Sequence, residues 1–142
     1  VAGSRPEYYV SVGYDGFKSV IDELGGIEIP IDEEIKIPDL GLYLKEGRNL
    51  LSGKEALNYT RWYNAEKDGI ERIKRQQKVL KSALDKLLQP NTLLSIPRLY
   101  DTIIKTYRSV YTNIDRDLAV KLFKFIKERD NFEIRYQVIN LN

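Results

Sequence analysis

The sequence predicts an α/β fold, or α+β if the strands pair only antiparallel, with a central mixed β-sheet flanked by helices. Three observations carry this. Apolar and polar residues alternate near both ends of the chain, in Glu7–Tyr14 (EYYVSVGY) and Phe132–Ile139 (FEIRYQVI), which is the two-residue period of a strand. Between them, apolar residues recur at spacings of three and four over long stretches, the period of an amphipathic helix. No internal repeat and no linker divides the 142 residues, so they read as a single domain, 1–142, long enough to bury a core.

The elements follow in order. After the first strand, Asp15 is placed to cap a short helix with Phe17, Val20, Ile21 and Leu24 inward, and Gly25-Gly26 ends it. Ile27–Ile31 (IEIPI) alternates as a second strand, near an edge because Pro30 lacks an N–H. Strand, helix and strand suggest a βαβ unit, with antiparallel pairing as the alternative. Leu42–Leu44 and Gly47–Gly53 read as a small hairpin. Ser52 with Glu55 forms a capping box that starts a helix ending near Tyr63. A longer helix runs from about Asp68 to Leu88, with an inward stripe of Ile70, Ile73, Leu80, Leu84 and Leu87, and Pro90 stops it. Ser95 and Pro97 start another helix through Tyr107. Asp115 caps a last one, with Leu118, Leu122, Phe125 and Ile126 inward.

Composition narrows the chemistry. Hydrophobic residues at 42% and charged residues at 31% belong to a folded globular chain. The net charge of +2 is close to neutral, so anion binding must come from local clustering. No apolar run approaches the ~18 residues of a membrane span, and no signal-peptide pattern opens the chain. The start, VAGSRPEYYV, lacks Met and reads as a piece of something longer. With no Cys and no His, thiol nucleophiles, disulfides, imidazole bases and the usual zinc sites are excluded. Carboxylates, Arg, Lys, Tyr and hydroxyls remain, together with a hard cation such as Mg²⁺ on oxygen ligands.

The strongest local signal lies in Ala56–Lys81, ALNYTRWYNAEKDGIERIKRQQKVLK, where Lys and Arg outnumber acids seven to three. Arg72, Arg75 and Gln76 share one face of the predicted helix, and two arginines so close repel by a few tenths of a kcal/mol, roughly, unless an anion lies between them. Arginine suits phosphate because its planar fork is bidentate and always charged. Read from periodicity alone, such a face is more often solvated surface. Arg61 beside Trp62 is equally a candidate for a cation–π contact, and Asp68 for a helix N-cap.

This stretch resembles the core motif of the LytR-CpsA-Psr family, A-L-x-Y-x-R-x-R followed by D-x-x-R-x-x-R-Q. Upstream, YYVSVGYDGFKSVIDELGGIEIPI and GLYLKEGRNLLSGKEAL resemble the family's preceding segments in order, so the resemblance covers roughly residues 8–89. It implies a phosphotransferase at the extracytoplasmic face of the bacterial membrane, held there by an N-terminal anchor. Such proteins move anionic glycopolymers, teichoic acids or capsular polysaccharides, from a polyprenyl-pyrophosphate carrier to peptidoglycan. An older label for the family is transcriptional regulator or attenuator.

Carried over by position, the resemblance implies pyrophosphate binding by Arg61, Arg72, Arg75 and Gln76, with Asp68 as the catalytic acid. It also departs from the pattern. Tyr63 stands where the second Arg of R-x-R is expected, and Gly69 stands where the helix motif has its acid, with Asp68 displaced by one. The family's N-terminal segment, which holds the Mg²⁺ ligands, is absent, so the chain reads as the C-terminal part of the domain, with Mg²⁺ expected but no metal ligand assigned. SIPR at Ser95–Arg98 matches another family segment only by coincidence, since it follows the arginine helix. Two other readings stand beside the transferase: a non-catalytic polyprenyl-phosphate-binding module, and a nucleic-acid-binding regulator. No helix-turn-helix or RNP signature and no long basic stripe supports the last.

Overall fold

The computed structural model describes residues 8–62, 69–106 and 110–128. Its elements are β1 (Val10–Val12), α1 (Tyr14–Glu23), β2 (Ile27–Ile31), β3 (Ile35–Ile37), β4 (Leu42–Leu44), β5 (Gly47–Leu51), α2 (Gly53–Arg61), α3 (Ile70–Leu87), α4 (Pro90–Leu94), α5 (Ile96–Thr106), β6 (Val110–Thr112) and α6 (Arg116–Lys127). The architecture is mixed α/β. Among the described residues the strands pair antiparallel in three two-stranded sheets, β1 with β6, β2 with β5 and β3 with β4.

This pairing revises two expectations. β2 does not continue from β1 as a βαβ unit, because its partner is β5. Nor do β4 and β5 form a hairpin together. β3–β4 is instead nested inside β2–β5, so Ile27 to Leu51 makes one folded-back ribbon. Three residues, Asp32 to Glu34, face only two, Lys45 and Glu46, at the junction of its two halves. One surplus residue on one limb interrupts the ladder as a bulge does. The alternation of IEIPI survives intact: Ile27, Ile29 and Ile31 are buried, while Glu28 and Pro30 face out.

The core gathers these three isoleucines with Ile21 of α1, Leu42, Leu44 and Leu51 of the ribbon, Ala56 and Tyr59 of α2, and Val79 of α3. Each fully buried isoleucine or leucine contributes about 1.5–3 kcal/mol of transfer free energy. Against that core the sequence misplaced several helix faces. In α3, Ile70 and Ile73 are 69% and 52% exposed, whereas Arg75 and Val79 are buried. The inward face of α3 thus begins with an arginine, for a reason given below. In α6, Ala119 is buried and Phe125 is 49% exposed, so Phe125 is not an inward residue. The strand expected at Phe132–Ile139 lies outside the described residues.

Helix ends follow local chemistry. Ser52 Oγ accepts from Glu55 N at 3.2 Å and Glu55 Oε1 accepts from Ser52 N at 3.1 Å, the capping box expected for α2. Asp115 accepts from Leu118 N at 2.8 Å, as expected for α6. Asp15 is not the cap of α1; Gly13 holds that position without a side-chain bond, and Asp15 sits in the first turn, 3.4 Å from Lys18. At the other end of α1, Gly25 and Gly26 have φ of +79° and +87°, values that L side chains rarely adopt.

α1 and α2 run antiparallel and are joined at both ends. Asp22 Oδ1 accepts from Gly53 N at 2.7 Å, filling one of the open donors at the start of α2. At the opposite end, Arg61 lies over the ring of Tyr14. The close approach depends on Gly53, where an added Cβ would stand 2.0 Å from the Lys18 carbonyl oxygen. Backbone cannot give way as a side chain can. Gly53→Ala is therefore expected to lower unfolding free energy by about 2–3 kcal/mol, read from urea denaturation, although alanine is the better helix former.

Candidate anion-binding site

Arg61 is the last residue of α2, and Arg72 and Arg75 lie in the first two turns of α3. A helix leaves its last carbonyls without partners, with partial negative charge, and a cation is favourable there. Arg75, one turn into α3, supplies that cation: its Nε donates to Tyr59 O at 3.0 Å and its Nη2 donates to Trp62 O. Its guanidinium also lies 4.7 Å from the centroid of the Trp62 ring. Arg75 is 8% exposed, with its charge matched by two carbonyls and an aromatic face. This is why α3 turns an arginine rather than Ile73 toward the core. Within α2, Thr60 Oγ1 donates to Leu57 O at 2.8 Å, so its hydroxyl is also satisfied.

Arg61 is the last residue of α2 and is exposed. Its guanidinium stands 4.4 Å from the centroid of the Tyr14 ring, and among the described residues it makes no hydrogen bond or ion pair. The cation–π contact suspected from Arg61-Trp62 thus exists with the partners exchanged: Trp62 takes Arg75, and Tyr14 takes Arg61. Adjacent residues point apart, so each finds its partner on another element. The role of Arg75 as the cap of α2 and the part played by Tyr14 were missed in the sequence. The one available signal was the surplus of aromatic residues around these arginines.

Arg72 is one turn before Arg75, half-buried, and different in kind. Its Nε is buried and has no hydrogen-bond partner among the described residues. Leaving a buried charged donor unmet costs more than ~1–3 kcal/mol. Gln76, beside Arg75 on α3, is also half-buried. Gly69 has φ +85° as the residue capping α3, a conformation an acid would adopt only with strain. Asp68 and Tyr63 lie outside the described residues. Leu80, Leu84, Leu87 and Ile103, candidates for an apolar groove, are all partly buried. Two open hollows of about 400 and 360 Å³ flank Leu24 and Gly26, and none of these arginines lines either.

Among the described residues no group of three or more acids could hold a metal. No helix among them is long and apolar enough to cross a membrane.

The end of α2 is thus closed by a buried arginine of α3, and an exposed arginine is its last residue, within a mixed α/β fold. The LytR_cpsA_psr family model matches residues 1–142, and the chain belongs to that family. Regulatory protein MsrR of Staphylococcus aureus (strain COL) is 34% identical over 113 residues, covering 79% of this chain and 34% of its own. Two Bacillus subtilis proteins named polyisoprenyl-teichoic acid–peptidoglycan teichoic acid transferases are also similar. TagV is 34% identical over 75% of this chain and 28% of its own, and TagT is 32% identical over 89% and 40%. The crystal structure of TagV superposes with TM-score 0.71 over 86% of this chain and 46% of that one, at 29% identity. The structure of TagT bound to LI-WTA gives 0.61 over 84% and 44%, at 26% identity. This chain spans about a third of the length of these curated relatives.

The two neighbouring arginines are expected to behave oppositely in stability. Arg75→Ala removes two charge-assisted bonds and is expected to cost about 3 kcal/mol in urea denaturation. Arg72→Met, which removes an unmet donor, is expected to leave stability unchanged within about 0.5 kcal/mol or raise it.

Tyr59 carries a pH signature. Burial pushes its phenol above the ordinary 10.0; Arg75 pulls it back, and Asp32 and Glu71 add to the rise. The folded state keeps a proton that the unfolded chain releases. Its contribution is therefore complete below about pH 10 and is lost as pH climbs through the raised folded value. Stability measured in urea from pH 9 to 11 is expected to fall less steeply in Tyr59→Phe than in the parent protein.

Proposed function

We propose that this chain binds the pyrophosphate of a polyprenyl-pyrophosphate-linked glycopolymer, as part of an envelope phosphotransferase delivering that polymer to peptidoglycan. The observation that carries this reading is the buried Nε of Arg72, unpartnered among the described residues, with the exposed Arg61 as the last residue of the preceding helix. Arg61 and Arg72 bind the phosphates, while Arg75 stands behind them as a fixed positive charge and Gln76 donates to a phosphate or sugar oxygen. Support comes from the family and from the teichoic acid transfer for which TagV and TagT are named.

In such a transfer an acceptor hydroxyl oxygen attacks the phosphorus next to the glycopolymer. The bridging P–O bond breaks, polyprenyl phosphate leaves, and the hydroxyl proton passes to a base. Charge spreads over the non-bridging oxygens, and fixed guanidiniums stabilise it without reorganising. Mg²⁺, where used, would neutralise the same oxygens and would need ligands beyond the described residues. The reading places the protein at the extracytoplasmic membrane face, where carrier and acceptor meet, with Asp68 as a candidate proton-transfer group.

A short soluble prenyl pyrophosphate tests the binding step, with the emission of Trp62, the sole tryptophan, as readout. Arg72→Ala and Arg61→Ala are each expected to weaken binding roughly tenfold or more, and raised salt to weaken it in the parent protein. A change below threefold in both variants overturns the proposal.

A further inference from the structure

The Tyr14–Arg61 contact makes Tyr14 part of the anion site although it bears no charge. Arg61 ends α2, is exposed, and has no hydrogen-bond or ion-pair partner among the described residues; the only contact recorded for its guanidinium there is the Tyr14 ring at 4.4 Å. A free arginine at a helix end explores many rotamers, and fixing it on a ligand costs up to about 2 kcal/mol of side-chain entropy. An aromatic face reduces that cost without using any of the five N–H donors, because the ring interacts with the π face of the cation. A carboxylate in the same place would occupy those donors and neutralise the charge.

The backbone that carries the ring is tied into the helix pair. Tyr14 is the first residue of α1, directly after Gly13 and β1, and α1 is bonded to α2 through Asp22 and Gly53. Yet Tyr14 is 50% exposed, so burial does not explain an aromatic residue there.

We propose that Tyr14 is a positioning residue that holds the Arg61 guanidinium ready for a pyrophosphate-bearing ligand. This rests on the reading that Arg61 binds pyrophosphate. The ring face, not the hydroxyl, is the working group.

The test uses the same short prenyl pyrophosphate against Tyr14→Phe, Tyr14→Leu, Arg61→Ala and the Tyr14→Leu/Arg61→Ala pair. Thermal melts are run alongside, and Tyr14→Gln replaces Tyr14→Leu if the latter does not fold. Tyr14→Phe is expected to bind within twofold of the parent protein. Tyr14→Leu is expected to bind roughly two- to fivefold more weakly, with no further loss when Arg61 is already alanine. If Arg61→Ala weakens binding but Tyr14→Leu does not, the positioning role is overturned while the anion site stands. Equal losses from Tyr14→Leu with and without Arg61, or a loss in Tyr14→Phe matching that in Tyr14→Leu, also overturn it. If Arg61→Ala has no effect, the reading of the site itself fails.

Discussion

The structure depends on one buried cation. Arg75 closes the end of α2 by donating to Tyr59 O and Trp62 O, and so fixes where α3 starts relative to α2. Without it, two carbonyls at a helix terminus would lie beside a core with no donor, and α3 would lack its only buried side chain before Val79. The charge is tolerable in that position because the helix end supplies partial negative charge and the Trp62 ring covers the guanidinium.

That anchoring divides the work among three arginines that look equivalent in sequence. Arg75 serves folding. Arg72, one turn earlier, has a buried donor that folding leaves unmet. Arg61 is exposed and lies over the Tyr14 ring. Repulsion between arginines at this spacing is reduced without an acid, because the buried Arg75 is matched by two carbonyls.

Much of this was legible in the sequence. The Ser52–Glu55 capping box, the glycine pair after α1 and the alternation of Ile27, Ile29 and Ile31 are local signals, and each reports the contact that forms it. The strand pairings were not legible, because β2–β5 and β3–β4 are nested and short-range pattern does not say which strand a strand meets. The α3 face was misread for a sharper reason. Periodicity ranks isoleucine above arginine as a core residue, and here two carbonyls needing a donor reversed the order. In the site, motif positions located Arg61, Arg72 and Arg75, but only their surroundings distinguish a cap from a free cation.

Gly53 carries no functional group, yet it governs the aim of one. It lets the start of α2 lie against the Lys18 carbonyl of an antiparallel neighbour, and the Tyr14–Arg61 contact lies eight residues further along α2 and four residues back along α1. At the rise of an α-helix the eight residues of α2 span about 12 Å. The pair behaves as a lever with its fulcrum at the glycine: a methyl group inserted there would splay the helices and lift the guanidinium off its ring. Substitutions that move Arg61 need not be sought only at its own position, because its place over Tyr14 is tied to the backbone spacing at the other end of α2.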